Sequence, residues 1–327
     1  MNVALTMEQL LGGLRAAGEP TRLRILGLLV QGELTVTELT QILRQSQPRV
    51  SRHLKLLCEA GLLERFREGT WIFYRLAEDG GNGRLARSLV HLIPESDQAF
   101  IHDQERLSAV RQARAEAAAA YFSANAGNWN HIRSLYVPEV EVEQALKQMA
   151  GDAPIGDFLD IGTGTGRMLE VFAGDIQRGL GVDMSREMLA LARSKLEEKG
   201  ITNCQVRQGD MYDLAMPDAS IDLAVIHQVL HFADEPALAI QEVARVLRPG
   251  GRALIVDFSP HDMEILRDQH AHRRLGFAQE EVTGWCRAAG LDPKAVNCLA
   301  GGELTVCIWL AEKPEAAPRT MKQYKRS

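Results

Sequence analysis

A small helical domain with a basic hairpin, followed by a doubly wound α/β domain, is the fold class this sequence predicts. Three observations carry it. Phe158 to Arg167 reads as a strand ending in an acid, a tight glycine turn and the start of a helix. Leu180-Gly181-Val182-Asp183 and Gln205 to Met211 follow as two further strands closing on the acids Asp183 and Asp210. Nearer the N-terminus, helical periodicity gives way to an alternating segment, Leu62 to Leu76, folded about Glu68-Gly69.

With 327 residues the chain has room for two cores. Its hydrophobic content of 46% and charged content of 24% are ordinary globular values. A formal charge of −6 does not favour nucleic acid, so any such binding must come from a local patch. Cys58, Cys204, Cys286, Cys298 and Cys307 form no C-x-x-C pair, and we expect buried thiols in a reducing cytoplasm rather than a disulfide framework. No apolar run is long enough to span a bilayer.

Met7 to Ala17 is expected to be helical, and Pro20 opens a second helix to about Val30, with Leu23, Leu26 and Val30 on one face. A third short helix starts behind Thr35, with Glu38 completing a capping box. Ser46 caps the next, where Val50, Leu54 and Leu57 face inward, leaving Pro48, Arg49, Ser51, Arg52 and Lys55 outward. The hairpin adds Arg65, Arg67 and Arg75. Two closely spaced helices and a basic hairpin make a winged helix-turn-helix, whose second helix enters the major groove while the wing touches backbone.

This region, Met7 to Ala77, resembles the ArsR/SmtB family of bacterial repressors through Pro20-Thr21-Arg22-Leu23-Arg24-Ile25-Leu26, Val50 to Leu57, Ala60-Gly61-Leu62-Leu63 and Trp71 to Leu76. The resemblance implies that Gln47, Arg49, Ser51 and Arg52, with Lys55 beside them, meet double-stranded operator DNA, and that Arg65 and Arg67 grip phosphate. It also implies a homodimer, built in the family by the helix after the wing. No metal is expected: the family's thiolate positions are Thr35, Val36 and Thr37 here. His91, His102 and Glu105 imitate a second family site, but Pro94 interrupts them and Leu89 replaces its aspartate. Leu85, Leu89 and Leu92 form one stripe of the next helix, and a longer one runs from about Glu95 to Ala120.

In the C-terminal part the spacing is G-x-G-x-G, with Arg167 where a dinucleotide fingerprint needs its last glycine, which argues against nicotinamide or flavin. Asp183 is placed to accept ribose hydroxyls, and Asp210 an adenine amino group with Met211 against the ring. Three strand-end acids about this turn suit a cationic sulfonium nucleoside. Tyr121 to Glu312 resembles the class I S-adenosylmethionine-dependent methyltransferases of the small-molecule, quinone-biosynthesis-like branch, through Leu159 to Gly166, Gly181 to Ser185, Gly209-Asp210-Met211, Ile221 to Val225 and Val246 to Gly251. The resemblance implies a Rossmann-like, seven-stranded, mostly parallel sheet. It makes S-adenosyl-L-methionine the cofactor, held by Asp160, Gly162, Thr163, Gly164, Gly166, Asp183, Met184, Asp210, Met211 and His227.

A fourth strand, Ile221 to Ile226, leads to His227 and Gln228, which fall in the pocket beyond the strand ends. A fifth, Ala253 to Asp257, precedes His261, His270, His272, Arg273 and Arg274, a density of positive groups that points to an anionic or phenolic acceptor or to a solvated helix face. His227, His231 and His261 are candidate bases. Ala118 to Pro138, with Tyr121, Phe122 and Trp129, is expected to cap the cofactor. The domains expected are 1–83 (winged helix), 84–120 (linker and dimerisation), 121–312 (methyltransferase) and 313–327 (a disordered basic tail). The leading function is a DNA-binding regulator joined to a methyltransferase for a small molecule. The alternative is a repressor that only senses the methyl donor or S-adenosylhomocysteine. Arsenite methylation is disfavoured because the cysteines are scattered.

Overall fold

In the computed structural model the described residues are 5–68, 71–77, 80–125, 138–301 and 303–315. They divide into two compact units: residues 1–118 with 262–275, and residues 119–261 with 276–327.

The first unit holds α1 (Met7–Ala17), α2 (Pro20–Leu29), β1 (Leu34–Thr35), α3 (Val36–Leu43), α4 (Gln47–Glu59), β2 (Leu63–Glu68), β3 (Trp71–Leu76), α5 (Gly80–His91) and the start of α6 (Gln98–Asn125). Its small sheet runs β1-β3-β2. The capping box at α3 forms as the sequence requires: Thr35 Oγ1 accepts from Glu38 N and Glu38 Oε2 from Thr35 N. Val50, Leu54 and Leu57 of α4 are fully buried among Ile25, Leu26, Leu39 and Ile42. The α6 helix is fastened to α2 by Asp103, wholly buried, which accepts from Arg24 Nη2 at 2.7 Å and Arg106 Nη1 at 3.0 Å. Such a buried carboxylate persists only because both neighbours supply charge-assisted bonds.

Three local expectations fail here for identifiable reasons. Val30 follows α2 as its C-terminal cap and is exposed, so only Leu23 and Leu26 of that face pack inward. Ser46 caps α4 in backbone only, its hydroxyl making no capping bond. Leu92 lies beyond the end of α5 and is 76% exposed, while Leu85 and Leu89 pack on the core.

The second unit is a seven-stranded sheet ordered β6-β5-β4-β7-β8-β10-β9, made of β4 (Ile155–Ile161), β5 (Ile176–Asp183), β6 (Cys204–Gln208), β7 (Ile221–His227), β8 (Leu247–Phe258), β9 (Asp292–Ala300) and β10 (Thr305–Glu312). The β4, β5, β6, β7 and β8 pairings are parallel, and β10 runs antiparallel to both its neighbours. Strands buried on both faces read as continuous apolar runs, and Leu223 to Ile226 are all buried to within 1%. The order reverses between β4 and β7, so the crevice where open sheets bind ligands lies beyond their carboxyl ends. The helix Glu139–Ala150 precedes β4. Trp129 and most of the expected cofactor cap fall outside the described residues.

Two features of this unit differ from the sequence-based expectation. Cys298 and Cys307 are disulfide-bonded, because the β9/β10 register makes them direct cross-strand partners, a pairing their spacing in sequence does not reveal. Lys313, assigned above to a disordered tail, is built into the fold: its Nζ donates to Ala244 O and Leu247 O, both at 2.7 Å. Residues 316–327 lie outside the described set.

Candidate functional site

In the second unit the site is built from the chain reversal after β4. Gly162, Gly164 and Gly166 have φ of 67°, 52° and 83°, a conformation open to glycine and strained for other residues. Gly162 N and Thr163 N donate to Val182 O at 2.8 and 3.0 Å, which folds the turn back onto β5. Asp160 is buried, and its Oδ2 accepts from Thr163 Oγ1 at 2.6 Å, so this acid organises the turn from beneath.

Asp183 closes β5. Its Oδ2 accepts from Gly164 N and its Oδ1 from Ser185 N, both at 2.8 Å. Burial raises its pKa above the usual carboxylate range, against the lowering by the Ser185, Gly164 and Met184 N–H groups. Ser185 then caps the helix Arg186–Glu198 through its Oγ, while Met184 is 59% exposed. Asp210 lies two residues past β6, and its Oδ1 accepts from Tyr212 N at 2.9 Å. Burial pushes the Tyr212 phenol up to about 12, and its oxygen accepts from Glu235 N at 3.1 Å. Met211 packs on the edge of the core.

The segment after β7 forms the opposing wall. His227 ends the strand and is largely buried; Gln228 takes a φ of 53°, held by its N–H to Val256 O at 2.7 Å. Non-glycine residues kept in this region gather at functional sites. Val229 lies directly over the glycine turn, since a Cβ on Gly162 would come 2.4 Å from Val229 Cγ2. His231 is 2% exposed, with Nδ1 2.8 Å from Asp257 Oδ1 and its backbone N–H donating to Asp257 Oδ2 at 3.2 Å. Phe258 packs between two of the candidate bases, its ring centroid 5.4 Å from that of His231 and 5.9 Å from that of His261.

Asp257 and Val229 are the members that sequence reasoning gave no role, whereas Gln228 was expected in the pocket. The strand-end rule located Asp257 as the close of its strand but not its hold on His231; the approach of Val229 to Gly162 has no sequence signal. The basic group after β8 is corrected. Of His261, His270, His272, Arg273 and Arg274, only His261 belongs to the second unit and the other four lie in the first. There the Arg274 side chain, 5% exposed, pairs with Glu33 and Arg273 donates to Glu33 O, beside an Arg267 that is 4% exposed and pairs with Glu264. They serve packing there, so their density does not indicate an anionic acceptor.

The residues fit a sulfonium nucleoside. Glycine at 162, 164 and 166 leaves no side chain at every second position of the turn, an acid is fixed beside it, and no glycine stands where a pyrophosphate-binding fingerprint needs its last, because Arg167 is held there by Glu143 and Glu170.

In the first unit, Gln47, Arg49, Arg52 and Lys55 project from the exposed face of α4 and Ser51 is half-buried there. Lys55 makes a long pair, 3.8 Å, with Glu59. Arg65 and Arg67 are exposed on one face of β2, whereas Arg75 is held by Glu64 at 3.2 Å and Glu33 at 3.7 Å. His91 and His102 sit on different helices, α5 and α6.

Comparison with known proteins agrees with both halves. Residues 19–65 match the family described as bacterial regulatory protein, arsR family, and residues 159–255 match the family described as methyltransferase domain. The chain therefore carries an ArsR-family helix-turn-helix joined to a methyltransferase domain. An uncharacterized methyltransferase of Bacillus subtilis, YcgJ, is 39% identical over 105 residues, 32% of this chain and 42% of that protein. The ubiquinone/menaquinone biosynthesis C-methyltransferase UbiE of Teredinibacter turnerae is 34% identical over 123 residues, 36% of this chain and 49% of UbiE. The chain thus spans about half the length of the curated relatives it matches. Among solved structures, a chain of the Haloferax volcanii complex containing the Trm112 methyltransferase activator aligns with a TM-score of 0.50 at 20% identity. It covers 59% of this chain and 98% of its own length, which fixes the class I methyltransferase fold.

Proposed function

We propose that this protein is a DNA-binding transcriptional regulator whose second unit binds S-adenosyl-L-methionine and transfers its methyl group to a small molecule. The observation that carries the reading is Asp183, held by backbone N–H groups on both oxygens at the rim of the glycine turn. The bound donor supplies a methyl group made electrophilic by positively charged sulfur. Asp183 accepts the ribose hydroxyls with its remaining lone pairs, the 162–166 turn receives the amino-acid end, and Asp210 with Met211 takes the adenine. Methyl transfer asks mainly for in-line placement and exclusion of water. Gln228, Val229 and the buried wall behind them perform both, and His227, His231 or His261 takes a proton from an oxygen or nitrogen acceptor.

The first unit reads a two-fold symmetric operator as a homodimer, in the cytoplasm, with Gln47, Arg49, Ser51, Arg52 and Lys55 over bases and Arg65 and Arg67 on phosphates. The test has two arms. Methyl transfer from radiolabelled donor is measured over a panel of phenols, quinols, amines and arsenite, and donor affinity is measured by calorimetry. Donor binding without transfer to any acceptor would replace the enzyme with a sensor of the donor or of S-adenosylhomocysteine. Failure to bind either nucleoside at millimolar concentration would remove both.

A further inference from the structure

Between β8 and the helix Gln279–Ala288 the chain leaves the methyltransferase unit after His261 and rejoins it at Gly276; residues 262–275 belong to the winged-helix unit. Inside that unit they are fastened to the wing. The Arg267 guanidinium lies 4.5 Å from the centre of the Trp71 ring on β3, and that of Arg274 lies 5.2 Å from the centre of the Phe66 ring on β2. Arg274 Nη1 is 3.1 Å from Glu33 Oε2, and Arg273 Nη2 donates to Glu33 O at 2.9 Å. Glu33 also faces Arg75 of β3, whose guanidinium covers the same Phe66 ring at 5.3 Å. Guanidinium groups this deeply buried are costly to leave without anionic and aromatic partners, so the segment and the wing have reason to move as one body.

The other end of the segment is equally fixed. Phe277 N donates to Phe258 O at 2.9 Å. Gly276, at a φ of 87°, passes so close to Ser259 that a Cβ would fall 2.1 Å from its carbonyl oxygen. The two feet of the excursion are therefore closed on the end of β8, where Asp257 also holds His231 and the wall that faces the glycine turn.

We propose that residues 262–275 form a strut that links nucleoside occupancy of the glycine-turn site to the position of the wing, making nucleoside binding and operator binding thermodynamically coupled. This rests on the reading that the second unit binds the nucleoside and the first binds DNA. The strut joins the two by covalent continuity at its feet and by the Arg267, Arg273 and Arg274 contacts at its head. Coupling of this kind is reciprocal: the factor by which the nucleoside changes DNA affinity equals the factor by which DNA changes nucleoside affinity.

The test uses the full chain, S-adenosylhomocysteine, and a duplex selected from random DNA by the protein itself. DNA affinity is read by fluorescence anisotropy with and without saturating nucleoside, and nucleoside affinity by calorimetry with and without DNA. The unaltered protein is expected to show the same coupling factor, about fivefold or more, from both directions. In the double variant Arg267→Ala, Arg274→Ala each ligand still binds alone and the factor falls to about one. Glu33→Gln, which keeps the fold if the double variant does not, lowers the factor while sparing the separate affinities. A factor of one in the unaltered protein, with both ligands bound, overturns the strut, as does a factor undiminished in the variants. Absence of nucleoside or DNA binding in the unaltered protein overturns it in a different way, by removing the reading beneath it.

Discussion

Gly164 N donates to Asp183 Oδ2 at 2.8 Å, so the turn proposed to receive the donor and the acid proposed to grip it are one hydrogen-bonded unit. Removing the carboxylate therefore loosens both. Asp183→Ala should abolish nucleoside binding in calorimetry, and Asp183→Asn, which keeps one acceptor oxygen, should weaken it by about 1.5–3 kcal/mol, the worth of hydrogen bonds to a charged group. Unchanged affinity in the alanine variant would displace Asp183 from the site.

The same acid sets a pH dependence. Burial raises the Asp183 pKa despite three backbone N–H groups that oppose it. On the proposed binding mode ribose hydroxyls donate to the carboxylate, so binding favours the ionised form. Affinity is then full above the raised folded-state pKa and falls as pH drops through it, at a pH higher than an ordinary aspartate would require. For the free protein the sign is opposite: a raised carboxyl pKa favours the protonated folded state, and that contribution is lost as pH rises through it. Calorimetric titrations across the acidic range check the first, and thermal melts without ligand check the second.

The glycine at position 162 answers to Val229. Gly162→Ala places a methyl group 2.4 Å from Val229 Cγ2 and asks alanine to hold a φ of 67°. The strain alone is about 1–2 kcal/mol. Pairing the change with Val229→Ala should recover part of the lost melting temperature, through the removed clash, but not the part due to backbone strain. Full recovery would show that the left-handed backbone costs nothing here.

On the DNA-binding face, Arg49→Ala and Arg52→Ala should each weaken binding to the selected duplex by about 1–3 kcal/mol if they read bases. Arg65→Ala and Arg67→Ala should weaken it uniformly across sequences and reduce the salt slope by about one. Anisotropy titrations at several salt concentrations separate the two patterns, and unchanged binding in the α4 variants would remove that helix from the groove.

Lys313 ties the chain beyond β10 to the end of the helix Pro236–Val246 through the carbonyls of Ala244 and Leu247. A cation at a helix C-terminus satisfies carbonyls that have no partner within the helix. Lys313→Ala should cost about 1 kcal/mol in a denaturant titration without changing nucleoside affinity.

Much of this protein was determined locally. Thr35 and Glu38 make their capping box from a four-residue pattern, Val50, Leu54 and Leu57 reach the core because helical spacing puts them on one face, and Asp183 closes β5 because an apolar run stops there. Each depends on neighbours a few residues away, and a sequence states such relations directly. The tertiary structure alone decided relations between distant segments. It paired Cys298 with Cys307 through strand register, set Val229 over Gly162, and gave Asp257 to His231. It also turned Arg273 and Arg274 from part of an expected acceptor site into contacts with Glu33 and, for Arg274, the Phe66 ring of the wing. The physical reason is the same in every case. A charge, a thiol or a methyl group acquires its role from what lies within about 4 Å of it, and for these residues that neighbour comes from another part of the chain.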